Sequence, residues 1–372
     1  VRRVGLLKKD ESGKYSIVEI YRSKKDEKPL AVVKNGEYLM YMEDEIPDKN
    51  GDKYALTRGV IILDCDPGMD DSMAIVMAVK SPELDVKAIT TVNGNYPVDI
   101  TAVNALKVLE MLGRTDIPVA KGMPEPMFRE KPKDPFTHGK DGQAENFLPD
   151  PVTPLSEKHA IDMIIDVVKE NPGEIYILST GPMSNIAMAM KKAPEIKGMI
   201  AGIYAISGMF GLNKYAFANA TGDTPQSEWN VYVDPEAASI VYNSGVNLVL
   251  LGLDVATHFD VNLSEKDIEA LKTSDKKEAK FLRQAIRFVN NRGFEAYCTV
   301  IDCMAVGYAI DESLVETFEG RVGVETKDGL TLGNTVVDYR HHHVWNDLPM
   351  VKIGCKADHE RFLKMLMELV LA

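Results

Sequence analysis

The stretch GVIILDCDPGMDDSMAIVMAVKS, residues 59–81, decides the fold. Its first part, GVIILDCD, is a continuous apolar run that ends in carboxylates. Such a run reads as a strand buried on both faces of a parallel sheet. Pro67-Gly68 enforces a tight turn, and DDSMAIVMAVKS then carries helical spacing. Downstream the same alternation repeats. LDVKAITTV (84–92), IPVAKG (117–122), EIYILSTGP (174–182), GMIAGIYAISG (198–208) and VNLVLLGLD (246–254) read as strands. VDITAVNALKVLEMLG (98–113), HAIDMIIDVVKENPG (159–173), SNIAMAMKKAP (184–194) and DPEAASIVYNSG (234–245) read as helices. Strands and helices alternating at these lengths predict an α/β fold, an open and mainly parallel sheet flanked by helices. Right-handed crossovers put every strand C-terminus on one edge, where open α/β sheets bind ligands.

That edge is where the polar residues collect. DCDPGMDD (64–71), TTVNGN (90–95), STGP (179–182) and GLDVATH (252–258) each follow a predicted strand. Asp64, Asp66, Asp70 and Asp71 are four carboxylates within eight residues. Folded back on one another by the turn, they repel unless a cation sits among them. Oxygen ligands favour a hard ion, Ca²⁺ or Mg²⁺. One helix N-cap needs a single Asp, so capping alone does not account for the group.

DCDPGMDD closely resembles the DxDPGxDD signature of the inosine–uridine nucleoside hydrolase family. TTVNGN, HGKDG (138–142), STGPMSNIAMA (179–189), SEWNVYVDPEAASIVYNSG (227–245), GLDVATH, IDCMAVGYAID (301–311) and NTVVDYR (334–340) resemble further family segments in the family's order. The resemblance implies a nucleoside-hydrolase-like domain over 59–372 and hydrolysis of a ribonucleoside N-glycosidic bond. It implies Ca²⁺ held by Asp66, Asp71, the carbonyl of Thr180 and Asp302, with Asp64 behind them. Asp70 matches the general base. Asn95, Glu228 and Asn230 match residues that bind ribose hydroxyls, and His138 one near the nucleobase. Homodimers or homotetramers are common in the family. Two positions depart from its pattern. Ile301 stands where many members carry a His that protonates the leaving base, and Gly222 where a ribose-binding Asn is usual, with Asn219 and Asp223 close by in sequence. An aspartyl-nucleophile phosphatase using Mg²⁺ is an alternative for DCDPG, although Gly68 departs from that pattern. A non-catalytic nucleoside or sugar sensor is another, kept open by Ile301 and Gly222.

The segment RQAIRFVNNRGFEAYC (283–298) precedes the late Asp. Arg287, Asn291, Arg292 and Tyr297, with Asn290, are its candidates for base contact. Trp229, between two expected ribose ligands, is expected to point away into the core by strand alternation. His258 reads as structural, and His341–His343 as a solvated run.

The remaining sequence narrows the class. Lys and Arg total 43 against 56 Asp and Glu, a net charge of −13. That sign opposes nucleic-acid or anionic-membrane binding and suits a soluble enzyme acting on a small molecule. Four Cys without a CxxC pair, no membrane-length apolar run and no signal-like start at Val1–Lys9 lead us to expect a cytoplasmic protein. Residues 1–58 read as a small β-rich extension. SIVEIYRS and PLAVVKNGEYLMYM are strand-like, Asn35-Gly36 is a hairpin signal, and EDEIPDKNGDK is a linker.

Overall fold

The computed structural model describes residues 59–372 apart from 133–136, 258–261 and 343, and in residues 1–58 the backbone of five strands. Those five are β1 (Arg3–Lys9), β2 (Tyr15–Arg22), β3 (Ala31–Lys34), β4 (Glu37–Met40) and β5 (Lys53–Thr57), paired in the order β2-β1-β5-β3-β4. β3 and β4 are antiparallel with Lys34 opposite Glu37. The turn residues Asn35-Gly36 lie outside the described residues, as does the expected linker except for Lys53.

The main sheet is built from β6 (Gly59–Cys65), β7 (Leu84–Thr91), β8 (Val119–Lys121), β9 (Ile175–Ser179), β10 (Gly202–Ile206), β11 (Leu248–Leu251), β12 (Val315–Val324), β13 (Thr335–Asp338) and β14 (Val351–Ala357). Its order is β13-β12-β14-β11-β10-β9-β6-β7-β8. From β14 to β8 every pairing is parallel, and β12 and β13 add an antiparallel margin. The crossovers include α1 (Met69–Lys80), α2 (Val98–Leu112), α3 (Ala160–Glu170) and α4 (Ser184–Lys192). Short α5 (Lys214–Ala218) and α6 (Trp229–Val233) lead into α7 (Pro235–Tyr242), and α8 (Leu253–Ala256) follows β11. Helices α9 (Glu265–Thr273), α10 (Lys277–Asn290), α11 (Cys303–Ile310) and α12 (His359–Leu371) complete the chain.

β6 shows how the core forms. Its side chains alternate faces. Ile61, Leu63 and Cys65 join one hydrophobic cluster with α1, α2, α11 and α12, while Ile62 joins the other with α3, α4 and α7. A strand sandwiched between helix layers leaves no polar position along its length, hence the unbroken apolar run. Full burial of each such aliphatic side chain contributes about 1.5–3 kcal/mol. The first polar side chain, Asp64, comes where the strand emerges.

Candidate active site

Register assembles the site. Asp64 lies opposite Thr90 of β7 on one side and Ser179 of β9 on the other. One row across three strands thus aligns the acidic, TTVNGN and STGP segments. Asp64 is fully buried, and its Oδ1 accepts from Thr90 Oγ1 at 2.6 Å and from Asn185 Nδ2 at 2.9 Å. Burial pushes its pKa up to about 7 against those two bonds.

Asp66 follows where the chain leaves the sheet. Its Oδ2 accepts from the Asn95 backbone N–H at 2.6 Å, while its buried Oδ1 has no hydrogen-bond partner. The carboxylate packs between two glycines. A Cβ on Gly94 would stand 1.9 Å from Asp66 Oδ2, and one on Gly181 2.7 Å from Oδ1. The glycines in TTVNGN and STGP are therefore the space that Asp66 occupies. Gly94→Ala is expected to lower stability by about 1–3 kcal/mol, the usual cost of overpacking, measured by urea unfolding. Unchanged stability would mean that Asp66 moves aside freely.

Asp70 and Asp71 sit in the first turn of α1, where the helix dipole favours carboxylates. Asp71 Oδ2 accepts from Gly68 N at 3.1 Å, and its Oδ1 from Thr180 Oγ1 at 2.8 Å. Asp302 lies just before α11, and one carboxylate oxygen from each of Asp70, Asp71 and Asp302 falls within 4.8 Å of the others. Burial is the leading cause that raises all four pKa values. Asp70 and Asp71 reach about 6, and Asp66 and Asp302 are driven well up, with neighbouring carboxylates adding to the shift. Oxygen-only donors, crowded, buried and partly without hydrogen-bond partners, fit a hard divalent cation. Asp66 lies outside the three-carboxylate group, but its free Oδ1 keeps it available.

Above this floor opens a cavity of about 510 Å³. Asp70, Thr180, Asp302, Asn95, Glu228, Asn230, His138 and Tyr297 all line it. Asn230 Nδ2 donates to the Thr180 carbonyl at 2.8 Å, which ties the Glu228 wall to the floor. The Glu228 carboxylate caps α6, accepting from Asn230 N at 2.8 Å and Val231 N at 3.1 Å, and burial lifts its pKa to about 7. His138 Nδ1 accepts from Met69 N at 3.2 Å and lies 3.6 Å from Asp70 Oδ1. The Met69 donor leaves the neutral ring its hydrogen on Nε2.

Several expectations are corrected here. Arg287 and Asn291 are exposed and do not line the cavity. Helical periodicity gives Ala285, Phe288 and Val289 the buried face of α10 and turns Arg287 to solvent. Asn290 is likewise exposed, whereas Arg292 does line the cavity. Trp229 also lines it, because SEWN starts a helix rather than continuing a strand, so alternation does not apply. Phe294, Glu295 and Cys298 line it too and were missed. Gly293, with φ +82°, was the available signal, since it ends the α10 pattern and folds the chain back over the site. His258 and His343 lie outside the described residues, and His341 and His342 are exposed. Among the described residues no helix is long and apolar enough to cross a membrane.

Comparison with known proteins places this geometry. A sequence model described as inosine-uridine preferring nucleoside hydrolase matches residues 61–364. The pyrimidine-specific ribonucleoside hydrolase RihA of Salmonella arizonae is 36% identical over 314 residues, 83% of this chain and 97% of that protein. A solved plant nucleoside hydrolase, PpNRh1, superposes with a TM-score of 0.75 at 32% identity, covering 85% of this chain and all of that one. A purine-preferring ribonucleoside hydrolase from Gardnerella vaginalis gives 0.72 at 30% identity, covering 84% of this chain and 98% of the other. The phosphatase alternative lapses with these matches. The chain belongs to the inosine-uridine preferring nucleoside hydrolase family and is a nucleoside N-ribohydrolase.

Proposed function

We propose that the chain cleaves ribonucleosides to ribose and free nucleobase with Ca²⁺ as its ion, held by Asp66, Asp71, the Thr180 carbonyl and Asp302. Mg²⁺ is the second choice, because several carboxylates in a rigid all-protein cage suit the larger ion better. The observation that carries the reading is the buried group of Asp70, Asp71 and Asp302 beneath a cavity walled by Glu228 and Asn230. When bound, the cation supplies positive charge that acidifies water and orients hydroxyl groups.

The chain's own residues do the rest. Asn95, Glu228 and Asn230 orient the ribose, so that its anomeric carbon faces Asp70. Asp70 takes the proton of the attacking water. Its unpartnered Oδ1 faces the cavity, and burial raises its carboxyl only to about 6, so it is ionised and able to accept a proton at physiological pH. As the bond breaks, positive charge grows on the sugar ring, and the carboxylates beneath stabilise it. Ile301 at the cavity wall gives no proton to the departing base. His138, with its Nε2–H, and Tyr297 are the groups on hand. Tyr297 is bonded to Cys298, and burial lifts both pKa values, Cys298 to about 11. Burial thus weakens Tyr297 and Cys298 as acids, and the neutral His138 ring offers the departing base a hydrogen bond from Nε2–H rather than a proton.

The test is ribose release from a panel of purine, pyrimidine and modified ribonucleosides with Ca²⁺ present. Release from at least one, lost on chelation, is expected. Nucleoside binding without release would favour the sensor reading. The relatives' names span pyrimidine-specific and purine-preferring enzymes, so the panel also reads the base preference.

The same proposal divides the chain into a β-rich extension at 1–58 and a catalytic domain at 59–372. It includes a homodimer or homotetramer, on the strength of the family resemblance. It also includes a cytoplasmic location, which four unpaired thiols support.

A further inference from the structure

The stretch that folds back over the site lines the cavity with Phe294, Glu295, Tyr297, Cys298 and Ile301. Ile301 is half-buried, packs against the main core cluster and directly precedes Asp302. Its aliphatic side chain has no proton to give. The protons nearest to it in sequence sit on poor acids, because burial raises the Tyr297 phenol and the Cys298 thiol above their usual pKa. His138 Nδ1 accepts from Met69 N, so its ring presents a hydrogen-bond donor to the cavity.

A base that leaves without a proton keeps the electron pair of the broken C1′–N bond. In an ordinary nucleoside that pair makes the departing base an anion, a poor leaving group. In a nucleoside whose base is already a cation, the same pair cancels the charge and the base departs neutral. The step then balances without an acid. The water oxygen bonds to C1′, Asp70 takes the water's proton, and the C1′–N pair stays on the base nitrogen.

We infer that the substrates this site serves best are ribonucleosides with a positively charged base, namely pyridinium ribosides and N7-alkylated purine ribosides. This rests on the proposed hydrolase reading, with Asp70 as base. The lining beside Ile301 fits such a base. Phe294, 53% exposed at the rim, and half-buried Tyr297 supply aromatic rings, whose faces attract flat cations. Between them in sequence comes the Glu295 carboxylate, whose Oε2 accepts from Asn262 Nδ2 at 3.1 Å. The guanidinium of Arg292, exposed at the same rim, lies 5.1 Å from the centroid of Phe288, a ring outside the cavity lining.

The experiment compares kcat/KM of the Ca²⁺-loaded enzyme for 7-methylguanosine with that for guanosine, at one mildly acidic pH where the methylated base is cationic. Nicotinamide riboside against uridine is the second pair, and rates without enzyme are subtracted. The wild-type enzyme is expected to favour the cationic member of each pair by about 10²–10⁴-fold, the contribution a general acid would otherwise make to the neutral one. Ile301→His places an imidazole where the wall has none. It is expected to narrow the guanosine gap by about tenfold or more, through a gain on guanosine. Thermal melting and calorimetric Ca²⁺ titration check that the variant folds and keeps its cation site. A wild-type ratio of about one or less overturns the inference and leaves the hydrolase reading intact. So does a ratio unmoved in a folded, Ca²⁺-binding Ile301→His enzyme, since the preference would then not come from the missing acid. No ribose release by the wild-type enzyme from any of these nucleosides or from the wider panel overturns both.

Discussion

Asp70→Asn lowers kcat by about 10²–10⁴-fold, the range expected when a general base is removed, and weakens cation binding far less than Asp71→Asn does. The expectation follows from placement. Asp71 is tied by Gly68 N and Thr180 Oγ1 into the floor, whereas Asp70 faces the cavity with one oxygen unbonded. Steady-state ribose release and calorimetric Ca²⁺ titration measure the two halves separately. If Asp70→Asn abolishes Ca²⁺ binding, its closeness to Asp71 and Asp302 is that of a ligand, and the base must be sought elsewhere. Near-normal turnover would refute the assignment altogether.

Asp302→Asn has an effect of opposite signs on stability and activity. Burial raises the folded-state pKa of Asp64 to about 7 and of Asp70 and Asp71 to about 6, and raises Asp302 as well. Between the ordinary carboxylate value of about 4 and these values, the folded chain binds more protons than the unfolded chain. This contribution to stability is complete at low pH and is lost as pH rises from about 4 through about 7. The cation-free protein is therefore expected to melt higher at pH 5 than at pH 8. Added Ca²⁺ replaces the missing protons, so its stabilisation is larger at pH 8; at 100 times its Kd it is worth about 2.7 kcal/mol. Asp302→Asn removes one repelling charge, raising the cation-free melting temperature at pH 8 while abolishing the Ca²⁺ response and turnover. Calorimetric scans with and without chelator decide it. A cation-free protein equally stable at both pH values would show that the cluster is not strained by its own charge.

Much of this was legible in sequence because burial on both faces leaves an unmistakable run. GVIILDCD, EIYILSTGP and VNLVLLGLD each became parallel strands, and the polar residues after them met at one edge. The margin strands β12 and β13 were not read. Their half-exposed positions break the apolar pattern, and nothing local signals that they pair antiparallel. Part of the floor was legible with the strands, since Asp64 and Asp66 lie at the end of β6 and Asp70 and Asp71 follow in the first turn of α1, whereas Asp302, just before α11, was named only by the family resemblance. The walls were not legible. Trp229 depends on Glu228 capping a helix of five residues, a length too short for periodicity to register. Arg287 and Arg292 are both basic and near in sequence, and only the end of α10 separates the solvent-facing one from the cavity-facing one.

The loop that carries His138 has a further consequence. Asp141 gathers the backbone N–H groups of Gln143, Glu145 and Phe147 at 2.9, 2.9 and 2.7 Å, and Ala144 N returns to the His138 carbonyl at 2.7 Å. Ala144, Glu145 and Phe147 are thereby held at φ 57°, 57° and 48°, a conformation that such residues disfavour. The ordering of this loop is accomplished during folding, so under the proposed role of His138 an arriving nucleobase meets a histidine already fixed in space. Little freedom is then lost on binding, and discrimination between bases rests on the shape presented there rather than on a loop adapting to each.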